Sequence, residues 1–430
     1  MAPKSRGIDL AAEFDFNALF EDPKLNGFGC VMFDFTDTGD GRLAPVPGKG
    51  WASIGGQKAQ RINGVDELSA EVKWLTNLDR ATFWKSGCVR VKKLRESSFL
   101  KTDLGQIMRE VGIVPKRLTT AGSCERSSEV FARTMSWGLS HYDLSEMTEQ
   151  EWIEDVRPLL APLDVSVSME MDEALRRCFV DYVVCSSPRV EGGRLVTLRR
   201  PRLAHARSIL ATAIPTGEWR FIPPAELPDE HIRLDELWQL QRPVLVKVAI
   251  KGFGDKCPPH VPPLLQLGDA IGEGGRKKER NWMTLQEVRY FSRYAKVEIQ
   301  AAFVADGWGT FQGAKRLLEM GDLSDFSISL GLLAEAHWMC LAGRSRNPAT
   351  RSKSMVSPRA AWFRATDRFL CFCSALPLAA AGFTVVSYGG GCVSVAARPE
   401  GMEALAEVAA ACGLCSPAVL FTQIPRDKEE

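Results

Sequence analysis

The first third of the chain alternates short apolar segments with stretches of helical spacing. Gly29–Phe33 is a short β-type segment, whereas residues 64–78 and 101–111 have the pattern of helices. Alternating strands and helices are typical of an α/β domain. We therefore predict an α/β domain over residues 1–140.

The next hundred residues differ from the first domain, because they are helical at first and then rich in proline. An acidic run over 146–151 predicts a helix start, since acidic groups are favoured at the positive end of the helix dipole. Nine prolines follow between 213 and 263, so that stretch should be largely extended or loop. We predict a helical and proline-rich connecting region over 141–240.

A strand, a helix and a second strand are predicted early in residues 241–430. Pro243–Ile250 has the β-branched content of a central strand and is expected to belong to a parallel or mixed sheet. Thr284 followed by Glu287 is the signature of a capping box, which predicts a helix over 284–294. Residues 296–304 then return as a strand. The predicted fold class is therefore α/β (α+β), with a mixed sheet and helices in this second domain.

A run of three glycines interrupts two β-type segments near the end of this domain. Thr384–Tyr388 and Cys392–Val395 are the segments, and Gly389, Gly390 and Gly391 join them. Glycine between two such segments predicts a tight hairpin. Helical periodicity on both sides, over 359–382 and 402–413, places this hairpin between helices.

Composition limits the class of protein. The 430 residues are 45% hydrophobic with a net charge of +1, so the chain can bury sizeable cores, and its overall charge does not identify a nucleic-acid-binding protein. No apolar run has the length of a membrane span, and no apolar signal segment follows the start. We expect a cytoplasmic or virion-associated protein that is not secreted and has no membrane partner.

The twelve cysteines are expected to be reduced and scattered. Cys257, His260, Cys412 and Cys415 have spacings that would suit one zinc site. The alternative is that the cysteines pack as small apolar residues, as Cys371 and Cys373 would in their apolar stretch. We favour the second interpretation and predict no metal and no cofactor.

Residues 205–415 resemble the palm of protein-primed family B DNA polymerases in the order and spacing of their elements. The resemblance implies a palm-like domain over 241–430 with helices in the place of the fingers and no thumb. The matching stretches are a strand leading to a proline-rich turn (246–264), a capped helix and a strand (282–304), a helix in the place of the fingers (325–341), and a helix followed by the hairpin (357–395).

The metal ligands of that family are missing from this chain. The family's first aspartate should fall within Gly217–Pro224, and none is present there. The family's hairpin carries two aspartates, whereas this chain has Gly390, Gly391 and Cys392 at the degenerate position. Transfer of a nucleotide by two metal ions needs anionic oxygen ligands. The resemblance therefore implies a polymerase shape without catalytic residues.

The first domain resembles the exonuclease portion of the same family in one short segment. Asp34 and Asp37 lie in a segment similar to that family's Phe-Asp-x-Glu-Thr motif, with the second carboxylate displaced and shortened. Asp79 and Asp103 fall at tolerable distances for the remaining carboxylates. The resemblance implies a degenerate exonuclease-like domain.

Basic residues form two clusters in the second domain, and both are candidates for binding the phosphates of DNA or RNA. Between 342 and 368 seven cations face one acid, Asp367. Trp282 and Trp362 are candidates for stacking on bases. The predicted nucleic-acid-binding residues are Arg344, Arg346, Arg351, Lys353 and Arg359 in one cluster, and Arg276, Lys277, Lys278 and Arg280 in the other. A further arginine set surrounds the domain junction, at Arg194, Arg199, Arg200, Arg202 and Arg207.

The sequence therefore predicts a catalytically inactive polymerase-like protein of viral or mobile-element origin. Its partners would be nucleic acid or the proteins of a replication or packaging assembly. Two alternatives are a structural protein such as a virion component, and an active nucleotidyltransferase with unrecognised ligands. Tyr388–Gly391 is also similar to a degraded Gly-Asp-Asp hairpin of viral RNA-dependent polymerases.

Overall fold

The structure is a computed structural model of the chain. It describes residues 25–37, 43–69, 71–78, 121–142, 168–180, 182–185, 190, 193–230, 233–265, 270–271, 277–278, 281–310, 331, 334–335, 338–339, 341–346 and 354–414. The fold is mixed α/β, as predicted, with several sheets and helices. None of the helices within these ranges is long and apolar enough to span a bilayer.

The N-terminal region is a four-stranded mixed sheet with one helix against it. The strand order is β3-β2-β1-β4, and β4 is the strand that runs parallel to its neighbour. Helix α1 packs on β1 and β2. The elements are β1 (Phe28–Asp37), β2 (Leu43–Ile54), β3 (Gln60–Ile62), β4 (Lys73–Thr76) and α1 (Ala121–Tyr142).

The helix predicted over 64–78 is wrong. The segment contains a short 3-10 turn, Val65–Glu67, and then β4. Lys73–Thr76 pairs with Phe28–Val31 of β1 and buries Trp74 and Leu75. Pairing with a distant strand outweighs the local helical spacing in this segment. The helix predicted over 101–111 and the helix start predicted over 146–151 lie outside the described residues.

A second four-stranded sheet has the order β11-β8-β12-β7, and all its strand pairs are antiparallel. The parallel or mixed sheet predicted around Pro243–Ile250 is therefore wrong, although the strand itself is confirmed. The elements up to this sheet's last strand are α2 (Met169–Cys178), β5 (Val183–Val184), β6 (Arg194–Arg199), α3 (Arg202–Leu210), β7 (Ile214–Ile222), α4 (Arg233–Gln239), β8 (Val244–Phe253), β9 (Ala270–Ile271), β10 (Lys277–Lys278), β11 (Trp282–Thr284), α5 (Leu285–Phe291) and β12 (Ala295–Gly309).

A third four-stranded sheet contains the glycine hairpin and has the order β5-β15-β16-β6, again antiparallel. Helix α6 packs on β15, and it also contacts α2 and α3. Residues 141–240, predicted as a connecting region, thus supply β5 and β6 to this sheet and β7 to the second sheet. The remaining elements are β13 (Arg344–Arg346), β14 (Ser354–Val356), α6 (Pro358–Ala380), β15 (Thr384–Gly389), β16 (Cys392–Ala397) and α7 (Met402–Ala411).

The second and third sheets share one apolar core. Val246 and Val304 from the second sheet belong to the same cluster of buried side chains as Val385, Val393 and Leu405 from the third sheet and α7. Ser357 caps α6 by accepting a hydrogen bond from the Ala360 amide. This capped helix therefore begins at a defined residue and places its middle, around Asp367, against the hairpin.

Candidate functional site

The tip of the glycine hairpin is a two-residue turn. Gly389 pairs with Cys392, and Gly390 and Gly391 form the loop with φ angles of 61° and 71°. Positive φ at both loop residues is what the favoured hairpin turns require. A Cβ atom on Gly391 would lie 3.1 Å from Cδ2 of His205. The predicted tight hairpin is confirmed, and glycine is required at 391 by its backbone conformation and by a close neighbour.

A buried carboxylate from α6 binds the backbone amides of this tip. Asp367 is fully buried, and its two oxygens accept hydrogen bonds from the Gly390 amide at 2.6 Å and the Gly391 amide at 2.8 Å. Nε2 of His205 lies 2.8 Å from Oδ1 of the same carboxylate. The amide of Arg200 donates to the Gly391 carbonyl oxygen at 2.9 Å. The turn is therefore held by α6 on one side and by the junction of β6 and α3 on the other.

The hydrogen bonds also assign the tautomer of His205. Nε of Arg200 donates to Nδ1 of His205 at 3.1 Å, and a guanidinium can only donate. Nδ1 is therefore the acceptor, and Nε2 carries the proton that is donated to Asp367. Burial alone would raise the pKa of Asp367, but the hydrogen bond from His205, together with the charge of Arg364 and the hydrogen bond from the Gly390 amide, holds that pKa below its usual value.

Arginines gather beside the tip around a second buried carboxylate. Glu335 accepts a hydrogen bond from Nη1 of Arg199 and another from Nε of Arg202. Burial opposes ionisation of Glu335, but the charges and hydrogen bonds of Arg202 and Arg199 bring its pKa below the usual value. We call Arg199, Arg200, Arg202 and Arg364 the tip arginines. These four guanidinium groups face two carboxylates, Glu335 and Asp367, so the tip has an excess of positive charge.

One group of side chains at the tip has ligand types that bind metals. Ligand atoms of His205, Asp367 and Cys371 lie within 4.8 Å of one another. The hydrogen bonds, however, oppose a cation here. Burial raises the pKa of the Cys371 thiol well above its usual value, which disfavours the thiolate that a metal needs. His205 holds a proton on Nε2, and Asp367 accepts from two backbone amides. These residues do not suit a metal ion in this arrangement.

Carboxylates are also missing from the strands around the tip. The described strands of this sheet, β5, β6, β15 and β16, contain neither aspartate nor glutamate. The strand beside the hairpin is β6, in which Arg199 pairs with Cys392. The segment in which the family's first aspartate would fall, Gly217–Pro224, lies mainly in β7 of the second sheet and not in the sheet of the hairpin. No clamp of hard oxygen ligands for Mg²⁺ is formed by these four strands.

The face of the third sheet that points away from the core carries mostly small or polar side chains, with Leu195 as an exposed apolar one. Arg199 pairs with Cys392, Thr197 with Ser394, and Leu195 with Ala396. All six are at least partly exposed, while the residues between them in β16 are buried. The hydroxyls of Thr197 and Ser394 lie 3.3 Å apart. This open sheet face ends at the tip arginines.

The predicted cluster over residues 344–353, which we call the basic arm, begins next to the tip arginines. Nε of Arg364 donates to the carbonyl oxygen of Ala342 at 3.3 Å, two residues before β13. Arg344 and Arg346 lie on β13, which forms a short antiparallel pair with β14. Arg351 and Lys353 lie outside the described residues. The residues just before the arm therefore lie beside the hairpin site.

The other predicted binding residues are Arg359 and the cluster over 276–280. Arg359 lies near the start of α6 and is only 5% exposed. Its contact with nucleic acid stays a prediction. Lys277 and Lys278 form β10, which pairs with β9, while Arg276 and Arg280 lie outside the described residues. The two predicted stacking residues, Trp282 and Trp362, are both buried in one apolar cluster.

Two further sets of predicted ligands are only partly described. Asp34 is partly buried on β1, and Asp37 ends that strand. Asp79 and Asp103, the other carboxylates of the exonuclease resemblance, lie outside the described residues, as does Cys415 of the zinc alternative. Cys257 and Cys412 both pack at the edge of the shared core.

Sequence reasoning missed three residues of this site. His205, Asp367 and Glu335 were not singled out, because the residues that each of them contacts are distant from it in the chain. The available signal was the run Arg199-Arg200-Pro201-Arg202, which follows a strand of alternating character and precedes a helix. Such a concentration of arginine at an element junction predicts a cationic site, but it does not identify the buried acids that hold it.

Comparisons with known proteins give distant structural likenesses. No family model matches the chain, and no curated protein matches it. Solved structures of Phi29 DNA polymerase are similar over 86% of this chain and 80% of their own. The complex with single-stranded DNA has 10% identity and a TM-score of 0.42, the orthorhombic crystal form 9% and 0.42, and the ternary complex with primer-template DNA and nucleotide 9% and 0.36.

Proposed function

We propose that this chain is a polymerase-like protein that binds nucleic acid and has no catalytic metal site. One observation supports the proposal above the others. At the tip of the hairpin, four arginines face two carboxylates, and both carboxylates are buried and hydrogen-bonded within the protein. Such a site attracts phosphate rather than a divalent cation.

The open sheet face and the basic arm support the same proposal. The face is lined by small and polar side chains such as Thr197 and Ser394, which allow a polymer to approach closely. The arm over 344–353 starts where Arg364 holds Ala342. We therefore propose that a nucleic-acid strand lies along the sheet face and that the arm binds further phosphates beside it.

The finer parts of the proposal rest on the resemblance in element order to protein-primed family B polymerases. They are an origin in a virus or mobile element and a role in scaffolding replication or packaging. They also include a palm-like arrangement over 241–430 and a degenerate exonuclease-like domain over 1–140.

The binding proposal is tested by removing the charge of the arm. A variant with Arg344, Arg346, Arg351 and Lys353 changed to Ala should bind a single-stranded oligonucleotide more weakly. The slope of log K against log salt should become shallower by roughly 0.7 for each phosphate that the variant no longer neutralises. Fluorescence anisotropy at several salt concentrations measures both quantities.

The matched control removes four exposed cations elsewhere, at Lys58, Lys256, Lys296 and Arg398. It changes the net charge equally, and it should leave the salt slope unchanged. If both variants bound the oligonucleotide equally weakly, the loss of affinity would be explained by the lower net charge alone, and not by the position of the arm. Absence of oligonucleotide binding by the unmodified chain would refute the proposed function and favour a structural protein.

A further inference from the structure

A cavity of about 360 Å³ lies on the opposite side of α6 from the hairpin. Helix positions 362, 365, 366 and 369, spaced three and four apart, line the cavity, whereas Asp367 and Cys371 face the hairpin site. The other walls come from the residues after α3, the start of α5 and the end of β12. The cavity is therefore separate from the tip arginines.

Aromatic rings and polar edges share the lining of this cavity. Trp308, Trp362 and Phe369 supply the rings, and Thr212, Thr366 and Gln286 supply hydroxyl and amide groups. The Thr212 and Thr366 hydroxyls lie 3.3 Å apart. The indoles of Trp308 and Trp362 meet nearly edge-on, with centroids 6.4 Å apart. A planar group with hydrogen-bonding edges suits such walls.

Charge excludes a phosphate from the cavity itself. Its lining residues include no lysine or arginine, and the one charged residue among them is Glu287. Glu287 is 2% exposed, and its carboxylate is bound by Arg368 and Thr284. The hydrogen-bonding groups of the lining are therefore the Thr212 and Thr366 hydroxyls and the Gln286 amide. The occupant should be neutral, planar and able to form hydrogen bonds.

We propose that this cavity binds one unpaired nucleobase of a single strand held by the protein. The inference rests on the proposed nucleic-acid binding and deepens it, because it assigns base recognition to a place distinct from the phosphate-binding site. The volume lies near the lower end of the range of small-molecule pockets, about 300–1,000 Å³, which suits a single base and excludes a base pair. Single-stranded nucleic acid should therefore bind more tightly than duplex.

The test uses a single-stranded oligonucleotide that contains 2-aminopurine, whose fluorescence falls when the base stacks. Trp308→Ala should weaken binding about tenfold, as expected for removal of one stacking partner, and should reduce the quenching. Thr366→Leu fills the cavity from a partly buried position and should act in the same direction. The salt slope should stay as in the unmodified chain, because the cations that bind phosphate are all retained.

The control is Phe253→Ala, at the far end of β8. Phe253 is 41% exposed and Trp308 is 37% exposed, so the two changes remove similar exposed aromatic surface. Affinity and quenching like those of the unmodified chain are expected for this control. Unchanged affinity and quenching in both cavity variants, with the arm variant still defective, would overturn the inference and leave the proposed function intact. No binding of any oligonucleotide by the unmodified chain would overturn both.

Discussion

The second and third sheets bury their strands in different ways. In β8 of the second sheet, Val244, Leu245 and Val246 are all fully buried, because the shared core covers one face and a second apolar cluster covers the other. In β16 of the third sheet, burial alternates, with Val393 and Val395 inside and their neighbours partly exposed. The third sheet thus keeps one face open within the described part of the chain.

The difference shows which kind of interaction holds each sheet. The middle of the second sheet, around Val244–Val246 and the residues paired with them in β12, is covered by apolar side chains on both faces, and its stability should come mostly from packing. Within the described residues the third sheet has an apolar layer on one face, and its hairpin is also held by hydrogen bonds that Asp367 accepts from the Gly390 amide and from His205 and by the one that Arg200 donates to His205. An open face next to a fixed cationic tip is available for a ligand, so we expect function at the third sheet.

The largest effect should come from breaking the ion pair that joins the two sheets. Glu287 on α5 and Arg368 on α6 are 2% and 1% exposed and lie 3.1 Å apart. Glu287→Met should lower the free energy of unfolding by about 3–5 kcal/mol, because it leaves a buried guanidinium without its carboxylate. Urea denaturation followed by tryptophan fluorescence measures the loss.

The control for that prediction changes both partners. Glu287→Met combined with Arg368→Met removes the buried charge, so it should be clearly more stable than Glu287→Met alone. Glu287→Gln keeps the side chain's hydrogen bond to the Thr284 amide and separates the loss of charge from the loss of the cap. A double variant no more stable than the single one would show that the pair does not join the sheets through charge.

Loss of the tip carboxylate should be the next largest effect. Asp367→Ala leaves the Gly390 and Gly391 amides and His205 without their acceptor, which should cost about 2–4 kcal/mol. The matched change in the second sheet is Asp306→Ala. Asp306 is exposed and accepts one hydrogen bond, from the Glu218 amide at 2.7 Å. Thermal unfolding should show a large loss for Asp367→Ala and little change for the control.

A smaller contrast is expected between one glycine of each sheet. Gly391→Ala places a Cβ at a φ of 71° and 3.1 Å from His205, which should cost about 1–2 kcal/mol. Gly252→Ala in β8 meets no atom within 4 Å, so it should be tolerated. Equal stability of the two variants, measured by thermal unfolding, would contradict the account of the hairpin turn.

The smallest expected effect is the pH dependence of the stability that Asp367 contributes at the tip. The pKa of Asp367 is lower in the folded chain than its usual value, so its ionised form stabilises the fold above the unfolded pKa, about 3.9. That contribution is lost as the pH falls through the lower folded pKa. The stability difference between the unmodified chain and Asp367→Asn should be constant from about pH 5 to 7 and shrink below about pH 4. A difference that grows in acid would be inconsistent with this direction.

Local signals in the sequence were sufficient for several elements. Thr284 and Glu287 form the predicted capping box, and three glycines form the predicted hairpin. Each of these depends on residues that are close in the chain. The predicted helix after Ser357 is also confirmed. Its signals are local too, because the capping residue and the apolar residues of the helix are close together in the chain.

Partners that are distant in the chain could not be predicted. Asp367 was counted as one acid in a basic stretch, yet it contacts His205, 162 residues away. Arg364 and Arg368 were counted as surface charge, but both are buried on α6. The arrangement of the strands was also missed, because nothing local shows that the hairpin pairs with β6 rather than with the strands of the second sheet.

The most direct test of the central claim is oligonucleotide affinity with and without a divalent cation. Affinity for a single-stranded oligonucleotide should be at least as high in EDTA as in Mg²⁺ at matched ionic strength, because the tip arginines, and not a metal, attract the phosphates, and Mg²⁺ competes with the arginines for them. A primer-template with nucleotides should not be extended in Mg²⁺ or Mn²⁺. Binding that requires Mg²⁺, or incorporation of a nucleotide, would contradict the account.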